Sequence, residues 1–113
     1  MHTPQGHNEE LQESSANFDM ENVRPFLQRI SPFIESGFGE VQIQQVCQLA
    51  ESLAHNAEQE LEFPIRYAGR GSLLRIGIFM DDISAPDVYS FSPPALAAKI
   101  DAELEMFCDE MGM

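Results

Sequence analysis

The chain of 113 residues carries 19 acidic and 6 basic side chains, a formal net charge of −13, and 43% of its residues are hydrophobic. This length allows one domain, and the hydrophobic content is typical of a folded protein rather than a wholly disordered one. The charge opposes direct binding to nucleic acid and to anionic membranes, because phosphates would be repelled, and favours attraction to a basic partner.

The N-terminal residues differ in composition from the rest of the chain. Residues 1–17 are polar, and Leu11 is the one large apolar side chain after the initial methionine. Such a segment cannot bury enough apolar surface to offset the entropy lost on ordering. We therefore expect a disordered polar tail over 1–17, followed by a single domain over 18–113.

Two helices are predicted next. The first is capped by Asp19 or Asn22 and is interrupted at Pro32, which removes a backbone donor. The second is predicted over 40–60, because small and aliphatic side chains recur there at helical spacing. The residues of that apolar face are Ile43, Val46, Cys47, Ala50, Leu53, Ala54, Ala57 and Leu61.

Three strands and a final helix complete the prediction. The alternation over 63–67 includes Pro64, which cannot donate to a neighbouring strand, and therefore indicates an edge strand. Residues 73–80 form the best strand, and 88–91 a short third one; the short connections favour an antiparallel meander. A helix opens at Ser92-Pro93, with a core face of Leu96, Ile100, Leu104, Phe107 and Met111.

The predicted fold is therefore an α+β domain with the element order α-α-β-β-β-α. Its small three-stranded antiparallel meander would be covered by helices on one face. The other face would leave Leu73 and Phe79 exposed, together with an aromatic residue of the third strand. We expect a homodimer that buries Leu73 and Phe79, because exposed apolar patches mark contact surfaces.

The last helix carries five acidic side chains and one basic residue, Lys99. Its solvent side combines acids with a stripe of small and apolar residues, and two of its acids lie in the last turn, where the helix dipole disfavours them. We assign partner binding to this side. The candidate residues are Asp101, Glu105, Asp109, Ala98, Ala102 and Met106. The alternative is a solvated helix face in which alanine serves as the best helix former.

Three of the six basic residues lie close together in the sequence. Arg66, Arg70 and Arg75 fall in a window over 63–80 that contains no acid. Arginine donates two parallel hydrogen bonds to carboxylates and phosphates, so these residues are candidates for an anion site on a positive sheet face. Pairing with local acids is the alternative.

Catalysis and metal binding have little support. The sequence shows no nucleophile motif, no zinc-binding spacing and no EF-hand, although Asp81, Asp82 and Asp87 surround one loop. Cys47 and Cys108 are expected to be buried reduced thiols, with a disulfide as the alternative. We predict no enzyme, no cofactor and no metal, and a cytoplasmic location because no secretory or membrane-spanning segment is visible.

The leading functional hypothesis is a non-catalytic acidic interaction module. It would act as an adaptor, a chaperone-like protein or an inhibitor for a partner with a basic surface, and would itself be a homodimer. One alternative is a sensor of small anions that uses the arginine-bearing sheet face. Another is a mimic of nucleic acid, whose carboxylates would take the place of phosphates.

Overall fold

The structure, a computed structural model, describes residues 10–81 and 85–112. The described chain is α+β, with one four-stranded antiparallel sheet and a layer of helices. The elements in chain order are β1 (Gln12–Asn17), α1 (Met20–Ile30), a 3₁₀ helix (Ser31–Phe33), α2 (Glu40–Ser52), β2 (Glu58–Tyr67), β3 (Arg70–Phe79), β4 (Asp87–Ser92) and α3 (Pro94–Met111).

The sheet has the strand order β1-β4-β3-β2. β3 is central and β2 lies at an edge, as the apolar run over 73–80 and Pro64 predicted. The prediction of three strands and the order α-α-β-β-β-α is wrong, because the structure adds β1 ahead of the helices.

β1 comes from the segment predicted as a tail. It pairs antiparallel with β4 from Gln12 opposite Ser92 to Asn17 opposite Asp87. The Asn17 amide donates to the Asp87 carboxylate over 2.8 Å, and the Ser14 side chain is buried. The predicted disorder is therefore wrong for Gln12–Asn17, and residues 1–9 lie outside the described part of the chain.

The helices pack on one face of the sheet, as predicted. Phe18, Phe26 and Phe107 form an aromatic cluster with ring centroids 5.1 to 5.8 Å apart, which joins α1 to α3. Leu104 is buried on the predicted core face of α3, whereas Met111 is 45% exposed. The large side chains of the sheet that are most completely buried in this core are Leu74, Ile76 and Ile78.

The boundary between α2 and β2 differs from the prediction of a helix over 40–60. α2 ends at Ser52, and Asn56 takes a left-handed conformation with φ of 63°. The Asn56 amide donates to the Met80 carbonyl over 2.7 Å, and the Met80 amide donates to Ala57 over 2.9 Å. Because these residues pair with the end of β3, β2 begins at Glu58. It is therefore five residues longer at this end than the strand predicted over 63–67.

Candidate functional site

The sheet face that points away from the helices is the main candidate surface, and we call it the outer face. Side chains alternate between the two faces of a strand, so the register assigns every second residue to it. Its residues are Glu13, Ser15 and Asn17 on β1, Asp87, Tyr89 and Phe91 on β4, Leu73, Arg75, Gly77 and Phe79 on β3, and Glu58, Glu60, Glu62, Pro64 and Arg66 on β2.

Apolar side chains occupy the middle of the outer face. Leu73 and Phe79, the predicted dimer residues, are half-buried on β3, roughly 20 Å apart along the strand. Between them, on β4, lie Tyr89 and Phe91, whose rings meet edge to face at 5.9 Å. The four residues form one band across two central strands. The sequence predicted one aromatic residue of β4 on the exposed face, and the structure places two there, Tyr89 and Phe91.

Tyr89 connects three strands. Gly77 lies directly opposite it on β3, and a β-carbon at Gly77 would lie 2.1 Å from the phenol ring. Because Gly77 has no side chain, the ring crosses β3 and the hydroxyl donates to the Glu58 carboxylate on β2. Burial, and then the bond to Glu58, raises the pKa of Tyr89 above its ordinary value.

Arg75 is enclosed by the same band. Its guanidinium lies 5.0 Å from the centroid of the Phe91 ring, and Nη1 lies 3.7 Å from the Glu60 carboxylate. The buried Nε has no hydrogen-bond partner among the described residues. The positive charge of Arg75 is therefore held between an aromatic ring and an acid.

Acidic residues border the band on both sides. Glu58, Glu60 and Glu62 follow one another along the outer face of β2, and Glu13 lies across from Phe91 on β1. The outer face is therefore not the positive sheet face that the sequence predicted. Extension of β2 to Glu58 places three glutamates along this edge of the outer face; Glu62 is the direct cross-strand neighbour of Arg75, and Glu60 is its ion-pair partner.

The structure does not bring the three candidate anion-binding arginines together. Arg66 shares the outer face with Arg75 but lies roughly 13 Å along the strand, and it donates to the Gly69 carbonyl over 3.3 Å. Arg70 belongs to the opposite face. There it lines a cavity of about 290 Å³ at the start of α3, with Tyr67, Ala68, Ser72, Pro93, Pro94 and Ala95.

The predicted partner-binding residues of α3 share one exposed stripe. Ala98, Asp101, Ala102, Glu105, Met106 and Asp109 all face solvent, and Met106 is 49% exposed. The other acids of the helix bind Arg29 of α1: Glu103 at 2.9 Å, and Glu110 at 2.7 and 3.1 Å. The unfavourable interaction between acids in the last turn and the helix dipole is thus partly offset. The bond from Arg29 stabilises the charged form of Glu110 and lowers its pKa.

Other chemistry-bearing side chains are scattered. Cys47 and Cys108 are free and half-buried, and burial raises the pKa of the Cys47 thiol. No group of three histidine, cysteine or acidic side chains within residues 10–81 and 85–112 could hold a metal ion. Asp82, part of the aspartate loop noted in the sequence, lies outside the described residues.

Two further observations concern the whole described chain. None of its helices has the length and apolarity needed to cross a lipid bilayer. In comparisons with known proteins, no family model, no curated protein and no solved structure matches this chain.

Proposed function

We propose that this chain is a non-catalytic interaction module whose outer face binds a protein partner with an apolar centre and basic margins. One observation carries the proposal: the band of Leu73, Phe79, Tyr89 and Phe91 is bordered by glutamates on both outer strands. Apolar contact at the centre would provide binding energy, while the charged margin would select a partner of opposite sign.

Charge complementarity favours such a partner over a second copy of the chain. Glu13 lies on one margin of the outer face and Glu58, Glu60 and Glu62 lie on the other. Two copies packed face to face would bring margins of like charge together, which is unfavourable at short range. A homodimer that buries Leu73 and Phe79 is the competing hypothesis for what covers the outer face.

The α3 stripe remains a predicted contact surface. Asp101, Glu105 and Asp109 have no ion pair within the described residues, and nothing else in that part of the chain points to a ligand there. The outer face adds aromatic side chains to its acids, which is why the proposal is built on it.

The test uses a capped octapeptide of alternating lysine and leucine, titrated into the protein at low salt. We expect binding that weakens as salt rises from about 0.05 to 0.5 M, because screening shortens the range of the ionic contacts. Amide signals of β3 and β4 should shift in the NMR spectrum. A peptide with glutamate in place of lysine should not bind.

Two matched variants locate the contact. Glu62→Lys reverses a charge on the outer face, and Glu105→Lys makes the same change on the α3 stripe. We expect Glu62→Lys to weaken peptide binding roughly tenfold, the equivalent of about 1.4 kcal/mol, and Glu105→Lys to change it little. A larger effect of Glu105→Lys would move the contact to α3, and no binding by the wild type would reject the function.

The homodimer is tested by sedimentation at high micromolar protein. We expect a monomer, since the margins of two copies repel each other. A dimer that dissociates when Phe79 is changed to Glu, but not when Met106 is, would show that the outer face is occupied by a second copy.

A further inference from the structure

The first half of β2 offers unpaired backbone groups at the sheet edge. The Arg66 amide donates to the Ser36 carbonyl over 2.8 Å, and the Arg66 carbonyl accepts from the Glu35 amide over 3.0 Å. The backbone groups of Arg66 therefore point away from β3. Because strand geometry repeats every two residues, those of Glu58, Glu60 and Glu62 point away as well.

A short segment of the chain already pairs with the other half of this edge. Ser36 forms an antiparallel bridge with Arg66, and Gly37 lies so close that a β-carbon there would be 2.3 Å from the Pro64 carbonyl oxygen. The coverage ends at this point. Within the described residues, no backbone group outside the sheet bonds to Glu58, Glu60 or Glu62.

Beside the open edge, on the helix side of the sheet, lies an open cleft of about 590 Å³ between α2 and β2. It is lined by Gln45, Gln48, Leu49, Ser52, Leu61, Glu62 and Phe63. Leu49, Leu61 and Phe63 are its apolar members. The register directs the side chains of Glu58, Glu60 and Glu62 to the other face of the same strand, and Glu62 also borders the cleft. A strand added here would therefore meet apolar surface on one side and carboxylates on the other.

We propose that the open edge of β2 binds an extended segment of the partner as a fifth, antiparallel strand, in which basic residues alternate with apolar ones. The proposal rests on the proposed function and adds a second contact to it: one part of the partner covers the band on the outer face, and an extended segment of the same partner pairs with the edge. Main-chain bonds to Glu58, Glu60 and Glu62 would hold the segment. Its apolar side chains would enter the cleft, and its lysines or arginines would face the glutamates.

The glutamates also disfavour a second copy of the chain at this edge. An unpaired edge invites pairing with the same edge of another molecule, and proteins block this with charges and proline. Two copies paired through β2 would bring the glutamates of both edges alongside one another, which is destabilising. The same charges attract a basic strand, so the edge discriminates between its own copies and the proposed partner.

The first experiment changes the peptide and leaves the protein unaltered. In an antiparallel pair, the residues whose side chains face the glutamates also direct their amides at β2. N-methylation of the lysine amides of the alternating octapeptide should weaken binding at least roughly tenfold, because each removes a bond to the edge. N-methylation of the leucine amides should leave binding within about twofold, since those amides face solvent.

The second experiment changes Glu60. Glu60→Gln removes the charge, whereas Glu60→Pro also removes the outward amide; Pro64 shows that proline fits an equivalent position of this strand. We expect Glu60→Pro to bind the peptide roughly threefold to tenfold more weakly than Glu60→Gln. Thermal melts of both variants check folding, and the methylated peptides decide the matter if Glu60→Pro does not fold.

The outcomes separate the two proposals. If the plain peptide binds and both methylated peptides bind equally well, the interaction module stands and strand addition is rejected. If only the leucine-methylated peptide loses binding, the added strand runs parallel and the antiparallel register is rejected. If the plain peptide does not bind the wild type at low salt, the proposed function itself fails.

Discussion

The phenol ring of Tyr89 lies across the backbone of Gly77, its direct neighbour on β3. The missing β-carbon at position 77 allows a residue of β4 to reach Glu58 on β2, two strands away. One side chain thus couples the apolar band to the acidic margin. The relationship makes the packing of the outer face sensitive to a single methyl group.

Gly77→Ala should therefore destabilise the fold. The new β-carbon would lie 2.1 Å from the Tyr89 ring, so the ring must move and lose its bond to Glu58. We expect a cost of roughly 1–3 kcal/mol in urea denaturation, as for other overpacked sites. In the Tyr89→Ala background the same substitution should cost much less. Equal costs in both backgrounds would contradict the contact.

Tyr89 should also make stability depend on alkaline pH. Its pKa is raised in the folded protein, so above about pH 10 the unfolded chain loses this proton first and unfolding becomes easier. The contribution of Tyr89 is fully present below pH 10 and is lost as pH rises beyond it. Urea denaturation of the wild type and Tyr89→Phe should show a difference that shrinks above pH 10. If the difference in unfolding free energy between the two proteins stayed constant up to pH 11, the raised pKa of Tyr89 would be contradicted.

Two adjacent serines test whether β1 is part of the folded sheet. Ser14 is buried on the helix side and its hydroxyl donates to the Ala97 carbonyl, whereas Ser15 is exposed on the outer face. Ser14→Glu would bury an unpaired charge and should cost roughly 3 kcal/mol or more. Ser15→Glu should remain within about 0.5 kcal/mol. If both substitutions had similarly small effects, residues 12–17 would not be part of the folded sheet, and the predicted disordered tail would be supported.

A pair of alanine substitutions on α3 tests which face of this helix is buried in the core. Leu104 is 8% exposed and Met106, on the partner stripe, is 49% exposed. Leu104→Ala should destabilise by roughly 2–5 kcal/mol through the cavity it leaves. Met106→Ala should change the free energy of unfolding by no more than about 0.5 kcal/mol. The reverse order would mean that the helix is rotated.

Elements with strong apolar patterns were predictable. β3 and α3 bury regularly spaced aliphatic residues, and the edge position of β2 follows from Pro64. β1 was not predictable, because its core-facing residues include Ser14 and Ala16, which are too small to produce a hydrophobic alternation. Its position is determined by pairing with β4, which is distant in sequence and leaves no local signal.

The charge map of the outer face was missed for a related reason. Leu53, Ala57 and Leu61 continue the spacing of α2, so residues 58–60 were assigned to the helix. The alternation of Leu61 and Phe63 with Glu60 and Glu62 was a local signal for an earlier strand start. Without that start, Glu58 and Glu60 were not placed on the sheet, and the expected surface took the opposite sign, with pairing of the arginines to local acids such as Glu62 as the alternative.

The position of β1 also has a consequence for the newly made chain. β2 and β3 are joined by a tight turn and can pair as soon as both exist, whereas β1 is synthesised before β4, its one partner strand in the described part of the chain. At 5–20 residues per second, Gln12 precedes Ser92 by roughly 4–16 s. During that interval β1 has no neighbour. Because most side chains of β1 are polar, the segment shows no hydrophobic alternation in the sequence. The same polar side chains keep it soluble until β4 has been made.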